Sequence, residues 1–274
     1  MYWPLSTVYL NVVHLRQSVA FYQQVIGLQT LQESDGSVTM GVADAPLLHL
    51  TEQPNGEHSQ GGTGLYHFAI LLPSRLELAK VLKHFAEART PLQGLSDHFV
   101  SEAIYLADPE GNGIEIYADR PRSAWEFPGG KLNMGTVAMD VDDVLGELDG
   151  QDGTWNGLPV GTIMGHVHLH VYDLAATKVF YGDLMGFDTM VNFGSVALFM
   201  SAQGYHHHFG LNTWKRGKPS QIAPDTLGLR WYTLDLGEKK QEVLARLEAA
   251  HIPLEQRNDG ILIRDPAQNG ILLV

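Results

Sequence analysis

Residues 8–31 read VYLNVVHLRQSVAFYQQVIGLQTL, and residues 167–190 read VHLHVYDLAATKVFYGDLMGFDTM. In both stretches alternating apolar residues spell a strand, then a short turn, then an apolar-periodic helix containing Phe-Tyr. The offset from Val8 to Val167 is 159 residues, and it superimposes Phe21-Tyr22 on Phe180-Tyr181. Each helix stops at a glycine followed by an apolar residue, Gly27-Leu28 and Gly186-Phe187, the pattern of a left-handed helix cap.

A second repeat interleaves with the first. Tyr66–Leu72 (YHFAILL) reads as a strand and Arg75–Arg89 as a helix, and the segment closes on DPEGNGIEIY from Asp108. Leu229–Leu236 and Glu238–Ala250 repeat that order, closing on DPAQNGILLV from Asp265, 157 residues after Asp108. The chain therefore reads as a duplicated half, each half itself a duplicated βαβββ unit of roughly 50 residues. The expected fold class is α+β: four βαβββ modules at 5–52, 64–119, 163–214 and 227–274, forming two domains with curved, mostly antiparallel sheets. A linker, 120–162, is rich in Gly, Pro and acid, and Met139–Leu148 within it reads as a short helix. Glu52–Thr63 and Lys215–Gly228 read as loops or lids.

Composition narrows the function. The chain of 274 residues is 44% apolar, enough to bury a sizeable core. Eighteen Lys and Arg against 31 Asp and Glu give a net charge of −13, which argues against nucleic acid and anionic membrane as partners. The absence of cysteine excludes a disulfide scaffold, a Cys-ligated zinc site, an iron–sulfur cluster and a thiol nucleophile. The start, MYWPLSTVYLNVV, has neither a basic leader nor a long apolar run, so a soluble cytoplasmic protein is expected, with a homo-oligomer left open. The acidic run Asp140, Asp142, Asp143, Glu147, Asp149 and Asp152 lacks calcium-loop spacing and reads as a solvated face.

Thirteen histidines are the main chemical lead. The first and last strands of each unit are the natural places for inward-facing ligands, because side chains alternate across a strand. Unit two carries His67 and Glu115 on these strands. Unit three carries His166, His168 and His170 at a spacing of two, and His206-His207-His208 precede its last strand. Repeat register matches His166 with Thr7, and His67 and Glu115 with Leu229 and Leu272, so units one and four are poorer, although unit one has His49. His14, His58, His84 and His251, on turns, loops or helices, read as structural. His166 is favoured over its two neighbours because the register pairs it with His67. Glu115 stands between Ile114 and Ile116, and a half-buried carboxylate there needs a partner, which a metal supplies. Two histidines and one carboxylate with open positions suit non-haem Fe(II).

With these residues the chain resembles the vicinal oxygen chelate superfamily, which includes glyoxalase I, fosfomycin-resistance proteins and type I extradiol ring-cleaving dioxygenases built from paired βαβββ modules. The run Ile104 to Glu115 (IYLADPEGNGIE) resembles the extradiol signature, in which an apolar-Tyr pair and Asp-Pro-x-Gly lead to the metal-binding Glu. The signature begins with a His six residues earlier, here His98, and Ser96 departs from the family's Gly, Asn, Thr, Ile or Val. The resemblance to catechol 2,3-dioxygenases implies Fe(2+), with Mn(2+) or another divalent metal as the variant, held by His67, Glu115 and His166. It also implies a catecholic substrate and O₂ as reactants in aromatic catabolism. By the same resemblance His208 is the acid/base near the O₂ site, and His98 and Tyr105 bond the substrate oxygens. In the best-known extradiol enzymes the signature lies in the fourth module and the remaining His ligand in the third. Here it lies in the second, which implies that module two pairs with module three around the metal, leaving modules one and four as a non-catalytic half. Two other readings stay open: a glyoxalase-like or other metal-dependent lyase or transferase, with His49 as a fourth ligand if modules one and two pair, and a non-enzymatic small-molecule binding protein of the same fold.

Overall fold

The computed structural model describes residues 4–215, 217–219 and 223–274; four residues of the Lys215–Gly228 loop read from sequence, Arg216 and Ser220 to Ile222, lie outside the described residues. The first unit contains β1 (Leu5–Val12), α1 (Leu15–Phe21), β2 (Gln29–Ser34), β3 (Ser37–Val42) and β4 (Ala45–Glu52). The second contains β5 (Gly64–Leu72), α2 (Arg75–Ala88), β6 (Gly94–Asp97), β7 (Ser101–Ala107) and β8 (Gly113–Asp119). The connection carries β9 (Val137–Ala138) and α3 (Val141–Gly146). The third unit contains β10 (Ile163–His170), α4 (Leu174–Lys178), β11 (Asp188–Asn192), β12 (Ala197–Ser201) and β13 (Phe209–Asn212). The fourth contains β14 (Gly228–Leu234), α5 (Lys240–Ala249), β15 (Glu255–Arg257), β16 (Gly260–Arg264) and β17 (Gly270–Leu273).

Two mixed sheets result. One runs β15-β16-β17-β14-β1-β4-β3-β2, joining units four and one through the antiparallel pair β1–β14. The other runs β11-β12-β13-β10-β5-β8-β7-β6-β9, joining units three and two through the antiparallel pair β10–β5. Strand alternation gives each sheet one core face and one open face. Phe68 and Ile70 on β5, Ile114 and Ile116 on β8, and Val167 and Leu169 on β10 enter one continuous core with Val8 and Leu10 of β1 and Tyr232 and Leu234 of β14. The residues between them, His67, Glu115, His166 and His168, are thereby turned to the other face of their sheet. Register also corrects the sequence match in unit four. Phe68 pairs with Ile114 and Tyr232 with Ile271, so Trp231, and not Leu229, stands where His67 stands in unit two. Leu229 lies two residues earlier along the strand, a slip that side-chain alternation with its period of two does not reveal.

The repeated helices are not uniform. α1 and α4 pass into wider turns, Tyr22–Ile26 and Val179–Leu184, before Gly27 (φ 88°) and Gly186 (φ 84°) stop them. The wide turns aim Tyr22 and Tyr181 at the Asp-Pro turns of the following units. Asp108 accepts from the Tyr22 hydroxyl (2.7 Å), Asn112 Nδ2 (2.9 Å) and the backbone N–H groups of Glu110 (3.0 Å) and Asn112 (2.8 Å). Asp265 does the same with Tyr181 (3.1 Å), Asn269 Nδ2 (2.9 Å) and the N–H groups of Ala267 and Asn269 (both 2.8 Å). Asp108→Ala leaves at least two buried donors unpaired, each worth about 1–3 kcal/mol, and is expected to lower stability by about 3 kcal/mol or more in urea unfolding.

The connection between units two and three is more than a linker. Leu158 N–H donates to the Gly27 carbonyl (3.1 Å), and Trp155 stacks on His84 at 4.7 Å. β9 adds an edge to β6, and α3 is shorter than the helix read from sequence. Asp143 and Glu147 of the acidic run pair with Arg75, and Asp140 caps α3. No helix among the described residues is long and apolar enough to cross a membrane.

Candidate metal centre

β5, β8 and β10 lie side by side, so three ligating side chains on three adjacent strands meet on the open face. His67 Nε2 stands 2.9 Å and His166 Nε2 3.1 Å from the same oxygen, Glu115 Oε2. The ligand atoms of the three residues all lie within 4.8 Å of one another, with relative exposures of 5%, 3% and 1% for His67, Glu115 and His166. His166 Nε2 is hydrogen-bonded to the carboxylate, whereas His67 Nε2, though close, lacks the alignment of a hydrogen bond and has no other partner. A buried imidazole nitrogen directed at a shared carboxylate without bonding it fits a cation between them. The protonation states fit as well. Burial pushes the His166 imidazole down to about 4, so it is neutral near pH 7. Burial alone would raise the Glu115 carboxyl, but His166 and then His67 outweigh it and hold it well below the usual range. Neutral imidazole and ionised carboxylate are the forms that ligate metal.

Backbone approach protects this geometry. A Cβ on Gly165, beside His166, would collide with the Tyr117 phenol, whose hydroxyl is tied to Tyr205 at 2.8 Å. Gly165→Ala is therefore expected to destabilise the protein by about 1–3 kcal/mol and to lower its metal content, read by denaturant unfolding and metal analysis.

The triad forms part of the wall of a cavity of about 470 Å³. His98 and Tyr105 lie at its side. His98 Nδ1 donates to the Gly135 carbonyl (2.7 Å), which leaves Nε2 to accept from the Tyr105 hydroxyl (2.7 Å). Tyr105 stands opposite Glu115 on the neighbouring strand. Burial and then the Glu115 charge raise its phenol well above the usual range, so it stays protonated. Aromatic side chains that sequence reading did not assign complete the wall: Tyr66, Phe193, Phe199 and Trp214.

The three successive histidines before β13 part company. His207 faces the cavity, its ring 4.1 Å from His166 and 5.0 Å from Phe199. His208, expected at the O₂ site, does not line the cavity; its Nδ1 accepts from the Ser201 hydroxyl (2.9 Å) and the Ala202 N–H (3.2 Å). These residues form an irregular bend and not a pleated strand, so alternation does not tell which ring points inward. His168 also lines the cavity, 4.9 Å from His67 between ring centroids. His49 lies in the other sheet on β4, bonded to Thr39 Oγ1 at 2.9 Å, apart from the triad.

Known proteins agree with this architecture. The profile of the Glyoxalase/Bleomycin resistance protein/Dioxygenase superfamily matches residues 5–116. Catechol-2,3-dioxygenase of Bacillus subtilis (strain 168) is 41% identical over 271 residues, covering 96% of this chain and 94% of that protein. Among solved structures, a Bacillus subtilis protein (15% identity) has a TM-score of 0.64 over 98% of this chain and 84% of its own. Glyoxalase I from Zea mays (12% identity) has a TM-score of 0.59 over 99% and 92%. The likeness of the two structures concerns the fold alone. Two βαβββ-built sheets, a matching profile and 41% identity over nearly the whole length together make this chain a member of the glyoxalase/bleomycin-resistance protein/dioxygenase superfamily.

Proposed function

We propose that the protein is an Fe(II)-dependent extradiol dioxygenase that opens a catechol-type ring with O₂. The observation that carries the reading is the convergence of two imidazole nitrogens on one carboxylate oxygen beside a cavity with open volume. The 41% identity to a catechol-2,3-dioxygenase supports the choice of reaction within the superfamily. His67, Glu115 and His166 would hold the iron, modules two and three supplying the working sheet and modules one and four the supporting half. Bound there, the metal would hold the catechol oxygens and O₂ together and would let electrons pass between them.

The rest is done by the chain. The Tyr105 hydroxyl, opposite Glu115, donates to His98 Nε2 and accepts from a substrate hydroxyl held at the triad. His98 is fixed from behind by the Gly135 carbonyl, so the pair is preset and need not reorganise on binding. The aromatic wall of Tyr66, Phe199 and Trp214 offers ring faces for stacking. His207 Nε2 takes the proton that the catechol loses and returns it later in the cycle, the role that the family resemblance implied for His208. Anaerobic reconstitution with Fe(II), followed by catechol and then air, is expected to yield a yellow ring-fission product absorbing in the near-visible. Full iron loading without that product overturns the reading.

A further inference from the structure

We propose that His206 and Asp119 form a buried tether that sets the tautomer of His207, placing its proton on Nδ1 and leaving its cavity-facing nitrogen without one. This deepens the proposed dioxygenase reading and rests on it for the role of His207, though not for the state of its ring.

The argument is a count of donors. Asp119 sits at the end of β8 with 28% of its side chain exposed. Its Oδ1 accepts from the Tyr205 hydroxyl at 3.0 Å, and Tyr205 in turn is tied to the Tyr117 hydroxyl at 2.8 Å. The same oxygen lies 2.9 Å from His206 Nε2. A carboxylate oxygen offers only lone pairs, so the proton of this contact belongs to His206 Nε2. With a single N–H on the His206 ring, used on Asp119, its Nδ1 is a bare acceptor. His207 Nδ1 lies 2.7 Å from it, and that contact needs a proton, which His207 Nδ1 must supply. The remaining nitrogen of His207, Nε2, is then unprotonated, on a ring that lines the cavity beside His166.

Packing holds the tether in this sense. The His206 ring is fully buried, tilted against Tyr205 at 4.0 Å and enclosed by Trp125 at 5.5 Å and Tyr117 at 6.0 Å, which opposes a ring flip. The mutual geometry is that of a base oriented by a second group, with one imidazole inserted between carboxylate and base. His206 and Asp119 are positioning residues, since neither lines the cavity.

The test reads the ring directly. Nitrogen-15 NMR of histidine-labelled, metal-free protein is expected to show His207 with its proton on Nδ1. His206→Phe removes the acceptor and should give a mixture of His207 tautomers. In the Fe(II)-loaded enzyme the same variant should lower kcat for catechol by about 10²-fold, with iron content retained and KM changed by less than about threefold. His206→Asn, whose Oδ1 can still accept from His207 Nδ1, should recover most of the rate. Asp119→Ala, at the sheet edge, should loosen the tautomer in the same direction and gives the answer if His206→Phe does not fold. A wild-type His207 protonated on Nε2, or an unchanged kcat in folded His206→Phe, overturns the proposal. Failure of the wild-type enzyme to open any catechol would instead sink the dioxygenase reading, and the tautomer measured without metal would stand or fall by itself.

Discussion

Glu115→Ala is expected to release nearly all bound iron and abolish ring cleavage, with His67→Ala and His166→Ala close behind. Glu115 is the common partner of both imidazoles, at 2.9 Å and 3.1 Å. Removing it leaves two imidazole nitrogens to hold a labile divalent ion and deletes the only carboxylate in the triad. Changes outside the ligand shell typically lower metal affinity or activity by about 10–100-fold, so losing a ligand should exceed that. The variants separate the ligands from the second-layer residues: Tyr105→Phe should keep its iron. Iron content by elemental analysis, with circular dichroism to show a folded chain, checks the set. Full iron in any of the three alanine variants would remove that residue from the ligand list, and loss through His49→Ala would move the site to the other sheet.

His207→Phe should keep iron and bind catechol yet turn over about 10²–10⁴-fold more slowly, the usual contribution of a positioned acid/base. His208→Phe is the contrast. Its ring lies outside the cavity lining and its Nδ1 is occupied by Ser201 and Ala202, so its effect should fall on stability, with kcat near normal. Steady-state rates of the two variants, each with its iron content measured, decide between adjacent histidines. A slow His208→Phe beside a normal His207→Phe would restore the assignment made from sequence and would detach the His206 tether from catalysis.

The α+β class, the repeat and the ligand candidates were legible in the chain before any contact was known, because they depend on local periodicity. Two strand–helix stretches 159 residues apart, and two Asp-Pro turns 157 residues apart, carry the fourfold pattern without any contact being known. His67, Glu115 and His166 were legible because strands alternate, and an apolar partner on each side of Glu115 marks which face is core. Tertiary structure decided what periodicity cannot reach. The strand that stands in for β5 in unit four had to be paired before Trp231 replaced Leu229 in register with His67. Which of His206, His207 and His208 faces the cavity depends on an irregular bend whose side chains are held by Asp119, Ser201 and Tyr205. The same holds for the cavity wall, which draws Gly135 and Thr136 from the connection beside Tyr66 and Trp214 from two distant loops and strands. Such residues share no spacing in the chain, and only the packing of one sheet against its connection brings them to one site.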